Sequence, residues 1–272
     1  EKYVKLCKML GVKFLQDVDE YTLYYGKDFI VSKYIHIRQP INQEILDYGE
    51  SKFLSAITRF CYTPSDMKSE LYDNGGINWQ DMDDYDLFLI LYKAFDPDDY
   101  SIIFGRQIFF KELELFINNS NGQKFLAYEL PDGQPNMEDV IIDKLIYMRI
   151  TTALRSMYKL KRNHDIAANK YTMKYLIDED RRKKNKYKNS DVEFESIIMP
   201  LIITSANTVE CKYNADELLD IGFYRLITDL DQISKSKSAL ALIQGQFSGM
   251  IDTSKIDKSN FNWMYESSKK QL

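Results

Sequence analysis

Leu87 to Phe95, LFLILYKAF, presents apolar side chains on nearly every side of a helix. A helix of that kind needs cover all round, from a protein core or from lipid. Its longest unbroken apolar run, Leu87 to Tyr92, is far short of the roughly 20 residues that cross a bilayer. The segment is therefore expected to be a core helix, and the rest of the chain must supply the elements that wrap it. With 272 residues, 44% of them apolar and 28% charged, there is material for one large domain or two small ones.

Other counts narrow the function. Thirty-six basic and 41 acidic side chains leave a net charge of −5, which argues against coating nucleic acid with the whole surface. Cys7, Cys61 and Cys211 are odd in number and widely spaced, so a reducing compartment fits better than a disulfide framework. With only His36 and His164 present, a zinc site would draw most of its ligands from carboxylates. The first residues show no apolar core of a secretory signal, and Glu1 is not the expected true start. The expected place of action is the cytoplasm, or a particle assembled there.

Patterning divides the chain into a mixed α/β part (1–130), a helical part (136–249) and a C-terminal tail (250–272). In the first part, Thr22–Tyr25 and Phe29–Ile37 read as strands around a turn at Tyr25–Asp28. Ile41 to Phe60 reads as a helix weakened at Gly49, and Thr63-Pro64 opens a short helix stopped at Asn74-Gly75-Gly76. Trp79–Phe95 reads as helix and Ser101–Asn118 as strand, with helix an equal reading over Phe110–Phe116. Ser120–Gln123 before Lys124–Tyr128 is a hairpin signal. Pro131–Pro135 is the expected boundary. Beyond it helices are expected over 137–160 (stripe Ile141, Leu145, Met148, Thr152), 163–187 (capped by Asn163), 193–207 (bent at Pro200), 214–234 and 236–247. The fold class is thus mainly α, with β-hairpins confined to the N-terminal part.

Chemistry-bearing clusters are few. Asp81, Asp83, Asp84 and Asp86, with Asp96, Asp98 and Asp99 beyond, could hold two Mg²⁺ ions for phosphodiester cleavage. They suit helix starts better, since acids complement the dipole there and DPDD is a turn and N-cap signature, and the Gly and Glu of a calcium loop are missing. Arg181–Lys188 could grip phosphates, but Asp178, Glu179 and Asp180 precede it at the spacing of self-pairing on a helix. His164 beside Asp165 could act as a base, yet no nucleophile or phosphate-binding loop accompanies it. The tail carries Phe261, Trp263 and Met264, an apolar anchor that docks either on another subunit or back on its own helical part. No metal or other cofactor is expected.

The segments Ile37-Arg38-Gln39-Pro40 and Glu44-Ile45…Tyr48-Gly49-Glu50, with Thr63–Lys68, Gly76–Trp79, Tyr85–Phe88, Glu179–Lys183, Phe194–Ser196 and Asn262–Met264, carry a resemblance. The chain resembles proteins from the tail gene clusters of bacteriophages that infect Gram-positive hosts. That resemblance implies a tail or baseplate component, or a tail-assembly chaperone. It implies no enzymatic activity and no catalytic residue. The expectation is a non-enzymatic protein acting through contacts with other tail or baseplate proteins, located in the virion tail and assembled in the host cytoplasm. Nucleic acid and membrane are not expected partners. The alternatives are a metal-dependent nuclease using Asp81, Asp83 and Asp86, and a nucleic-acid-binding module using Arg181–Lys188.

Overall fold

The computed structural model describes residues 18–119, 121–188, 196–249 and 256–261. Helices dominate, and the strands among the described residues form a two-stranded and a three-stranded antiparallel sheet. The chain enters through α1 (Glu20–Tyr24), where a strand was expected. Asp19 overrides the β-propensity of the aromatics by accepting from the Tyr21 amide and from Thr22 Oγ1. The first hairpin lies within the expected strand: β1 (Phe29–Ile30) pairs with β2 (His36–Ile37). Its turn is closed by the Val31 amide on the Ile35 carbonyl and by Ser32 Oγ.

Gly49, at φ +102°, breaks the next helix into α2 (Asn42–Tyr48) and α3 (Glu50–Phe60). A 3₁₀ turn with Pro64 in its first position leads to α4 (Lys68–Gly75), ended by left-handed Gly76. The expected helix over 79–95 is three pieces: a turn at Trp79–Asp81, α5 (Asp84–Leu91) and a turn at Tyr92–Ala94. Leu87 and Phe88 are buried, but Ile90 is 56% exposed, so cover is not complete all round. Residues 97–104, expected as turn and strand, form α6 (Pro97–Phe104), because Asp96 caps it and Pro97 sits where no donor is lost.

The second sheet has β3 (Leu113–Ile117), β4 (Lys124–Tyr128) and β5 (Ile141–Asp143), in that order. The Asn121-Gly122 turn joins β3 to β4 as the sequence suggests, with Ile117 opposite Lys124. The loop at 131–135 folds back instead of leading away. Leu130 donates to Gln134 O at 2.8 Å, and Asn136 to Tyr128 O at 2.7 Å. Strand β5 therefore stands where the first helix of an all-helical half was expected. Helix α7 (Lys144–Met157) starts after it, capped by Asp143. Its buried stripe is Tyr147, Ile150, Leu154 and Met157; the expected stripe residues Leu145 and Met148 are exposed.

Helix α8 (Lys170–Lys188) is capped by Asn169, not Asn163, whose side chain is engaged with Asp66. Pro200 sits in the first turn of α9 (Ile198–Ala206), where it forces no bend. Asn214 and Glu217 form a capping box on α10 (Ala215–Leu219), so the helix expected over 214–234 is broken after Leu219, and its later part runs on through the next expected helix as one α11 (Phe223–Phe247). A 3₁₀ turn, Lys258–Phe261, packs beside α11. One apolar cluster draws on Leu113 and Leu126 before the 131–135 loop, and on Val140, Ile142, Tyr147 and Leu226 after it. At its centre Phe60 is ringed by six aromatic side chains.

Candidate functional site

Each acid of the Asp83–Asp86 group is committed to a local task. Asp83 caps α5 by accepting from the Asp86 amide, and its other oxygen pairs with Lys144. Partial burial pushes its carboxyl up, but Lys144 and the helix-start amides outweigh burial and hold it below the usual range. Asp84 receives both the Nε and Nη2 of Arg162 at 3.0 Å, and Arg155 lies 3.7 Å away. Asp86 pairs with Lys124 at 3.3 Å, and Asp81 accepts from Asn78. Across the helix, Asp96 caps α6, Asp98 accepts from Gln107 and Asp99 pairs with Lys52. Among the described residues no three His, Cys, Asp or Glu side chains converge to hold a metal ion.

The basic run is divided by the helix that carries it. Arg181 and Lys184 turn onto α4, where Arg181 pairs with Asp73 and Lys184 with Glu70 and Asp180. Asp180 also accepts from the amide and hydroxyl of Ser69 at 3.0 and 2.7 Å. Beneath this polar clasp Ile177 packs with Leu71, Trp79 and Leu87 in a small core of its own. Arg182 and Lys186 face outward. His164 is exposed, and the Asp165 carboxylate is given to buried Lys68 at 2.6 Å, so the two do not form an acid–base pair. Phe261 is half-buried beside α11, while Trp263 and Met264 lie outside the described residues.

The surface that stands out belongs to the three-stranded sheet, and sequence reasoning missed it. On the face away from the core, Phe116 and Phe125 stack at 5.8 Å. With Ile141, Pro135 and exposed Met137 they line an open groove of about 450 Å³. Strand β3 is one of the two edges of the same sheet. Asn118 donates to Gln123 O, and antiparallel pairs alternate, so the amides and carbonyls of Leu115 and Ile117 point away from β4. Their side chains are 45% and 59% exposed. LELFI has no Lys, Pro or bulge, and its one charged residue, Glu114, pairs with Lys93, so the edge is only lightly defended. Such an edge is a template for another strand, with groove and backbone acting together.

No protein-family model, no curated protein and no solved structure matches this chain.

Proposed function

We propose that this chain is a non-enzymatic subunit or assembly factor of a bacteriophage tail, held by neighbouring tail or baseplate proteins. The observation that carries the reading is the lightly defended, largely apolar edge of β3 beside the Phe116–Phe125 groove. The resemblance of the Ile37–Pro40 and Tyr48–Glu50 segments to tail-cluster proteins supports the tail as the setting. The occupant of the edge is an extended segment of a neighbouring subunit. Two copies of this chain paired edge to edge along five residues would bury on the order of 400 Å², at ~3.4 Å per residue and ~10 Å of width. That is well below the roughly 1,000 Å² of a stable interface. A strand that also reaches into the groove covers more. The Phe261, Trp263 and Met264 anchor belongs to the same reading as a second point of attachment.

Leu115→Lys and Ile117→Lys test it, since both side chains are exposed and β3 can keep its bonds to β4. The chain is co-expressed with the products of its neighbouring tail genes, and co-purification is measured beside the melting temperature. An unchanged melting temperature with association lost is the expected result. Association retained in both variants removes the edge from the proposal, and absence of the chain from both purified particles and assembly intermediates overturns the tail reading itself.

A further inference from the structure

We propose that the outward face of α8 is a binding site for single-stranded nucleic acid, an inference that goes beyond the tail reading and does not depend on it. At 100° per residue, Tyr171, Lys174, Tyr175, Arg182 and Lys186 fall within about 120° of the helix circumference. Met173, Ile177, Asp180 and Lys184 occupy the opposite side, which packs on α4 and its surroundings, while Lys170 and Arg181 fall on the flank between the two. The division is chemical as well as spatial. The two cations that face α4 are both paired, whereas Lys170, Lys174, Arg182 and Lys186 are exposed with no partner among the described residues. Asp178 and Glu179, the acids on or beside the outer face, are taken by Arg181 and Lys183. Four unpaired cations thus remain along about 24 Å of helix, three on the outer face and Lys170 on its flank, on a chain whose net charge is −5.

The tyrosines select the ligand. Tyr171 is 89% exposed and Tyr175 62%, one helical turn apart, and neither is needed by the core. Lysine is depleted at protein interfaces, and the outward residues named above include no aliphatic anchor. Cations that follow a phosphate backbone beside aromatic rings on which bases stack are the recognition chemistry of single strands. A duplex offers no unpaired base faces to two tyrosines on successive turns. The basic run 181–188 taken alone misses this site, because half of it faces inward and the tyrosines and Lys174 lie upstream.

The test is fluorescence anisotropy with a labelled 20-nucleotide oligothymidine and the full chain. If four cations each neutralise one phosphate, log affinity falls with log salt at a slope of about −2.8, or about 50-fold between 50 and 200 mM. The triple variant Lys174→Gln, Arg182→Gln, Lys186→Gln is expected to flatten the slope to about −0.7. Tyr171→Ala with Tyr175→Ala is expected to weaken binding about tenfold or more at an unchanged slope. Both variants keep the melting temperature, because none of the five side chains has a described partner. Four outcomes overturn the proposal: no binding at 50 mM salt; binding unchanged in both variants; tighter binding of a duplex of the same length; or displacement by poly-glutamate as effective as by the oligonucleotide. The last would place an acidic polypeptide on this face.

Discussion

Phe60→Ala is the sharpest probe of how this fold is held. The Phe60 side chain is 1% exposed, and its ring centroid lies 5.4 to 6.2 Å from those of Phe88, Phe95, Tyr100, Phe104, Tyr147 and Phe110. These rings come from α5, α6, α7 and the turns between. Removing a buried Phe ordinarily costs about 3–5 kcal/mol through lost burial and the cavity left behind. Favourable ring pairs add about 0.5–1.5 kcal/mol each, though not additively when they share one partner. Six such neighbours, themselves locked in the core, limit collapse into the space, so the expected loss is at the upper end, about 4–5 kcal/mol. Phe60→Leu keeps most of the volume and is expected to lose no more than about 1.5 kcal/mol. Urea unfolding of wild type and both variants, followed by far-ultraviolet circular dichroism and tryptophan fluorescence, measures the differences. Because Tyr147 follows the 131–135 loop and Phe88 precedes it, both probes should shift together in one transition. A loss below about 2 kcal/mol, or two transitions of which only one moves, refutes the account of a single aromatic hub.

Two other perturbations address the charged and nucleophilic groups. Burial raises the Asp180 carboxyl, but Lys184 and Ser69 outweigh it, so its folded value lies below the unfolded one. Its contribution is therefore complete above about pH 4–5 and is lost as pH falls through the folded value. The acid limb of a melting-temperature titration should weaken in Asp180→Asn, and an identical limb would show that the α4–α8 clasp does not depend on that charge. Burial pushes the Cys61 thiol up to about 12, so in a Cys7→Ser, Cys211→Ser background Ellman's reagent at pH 8 should react only as the protein unfolds. Fast labelling of the native protein contradicts the burial.

What could be read from the sequence was local capping and turn chemistry. Thr63-Pro64, Gly76, Asn121-Gly122 and the Asn214/Glu217 box lie in the sequence as they lie in space, since each acts within four residues. Two of the misreadings share one cause. At Thr22–Tyr25 and Ser101–Phe104, aromatic and β-branched residues suggested strands, while Asp19 and Asp96 capped helices whose faces the core required. Strand β5 could not be foreseen from period, because three residues paired to β4 carry none. For the same reason the groove went unseen: Phe116, Phe125, Pro135 and Ile141 become neighbours only when the 131–135 loop returns the chain to the sheet. The acids and bases were located correctly in the sequence, but their partners, Arg162 for Asp84 and Asp73 for Arg181, are 78 and 108 residues away.

The hydrogen bonds that join the two ends of the chain set an order on its synthesis. Glu50, buried at 6% exposure, accepts from Ser196 Oγ and from the Ile197 and Ile198 amides, and Ile198 stands 148 residues downstream. Asn42 waits for Leu218 and Ile221, and Tyr24 for Asp229. At about 5–20 residues per second, a ribosome takes roughly 7–30 s to travel from Glu50 to Ile198. Throughout that interval α2 and α3 have no lid and the Glu50 carboxylate remains in water. A message truncated before residue 198 therefore yields clients for the chaperones of the cell that translates it, not folded fragments.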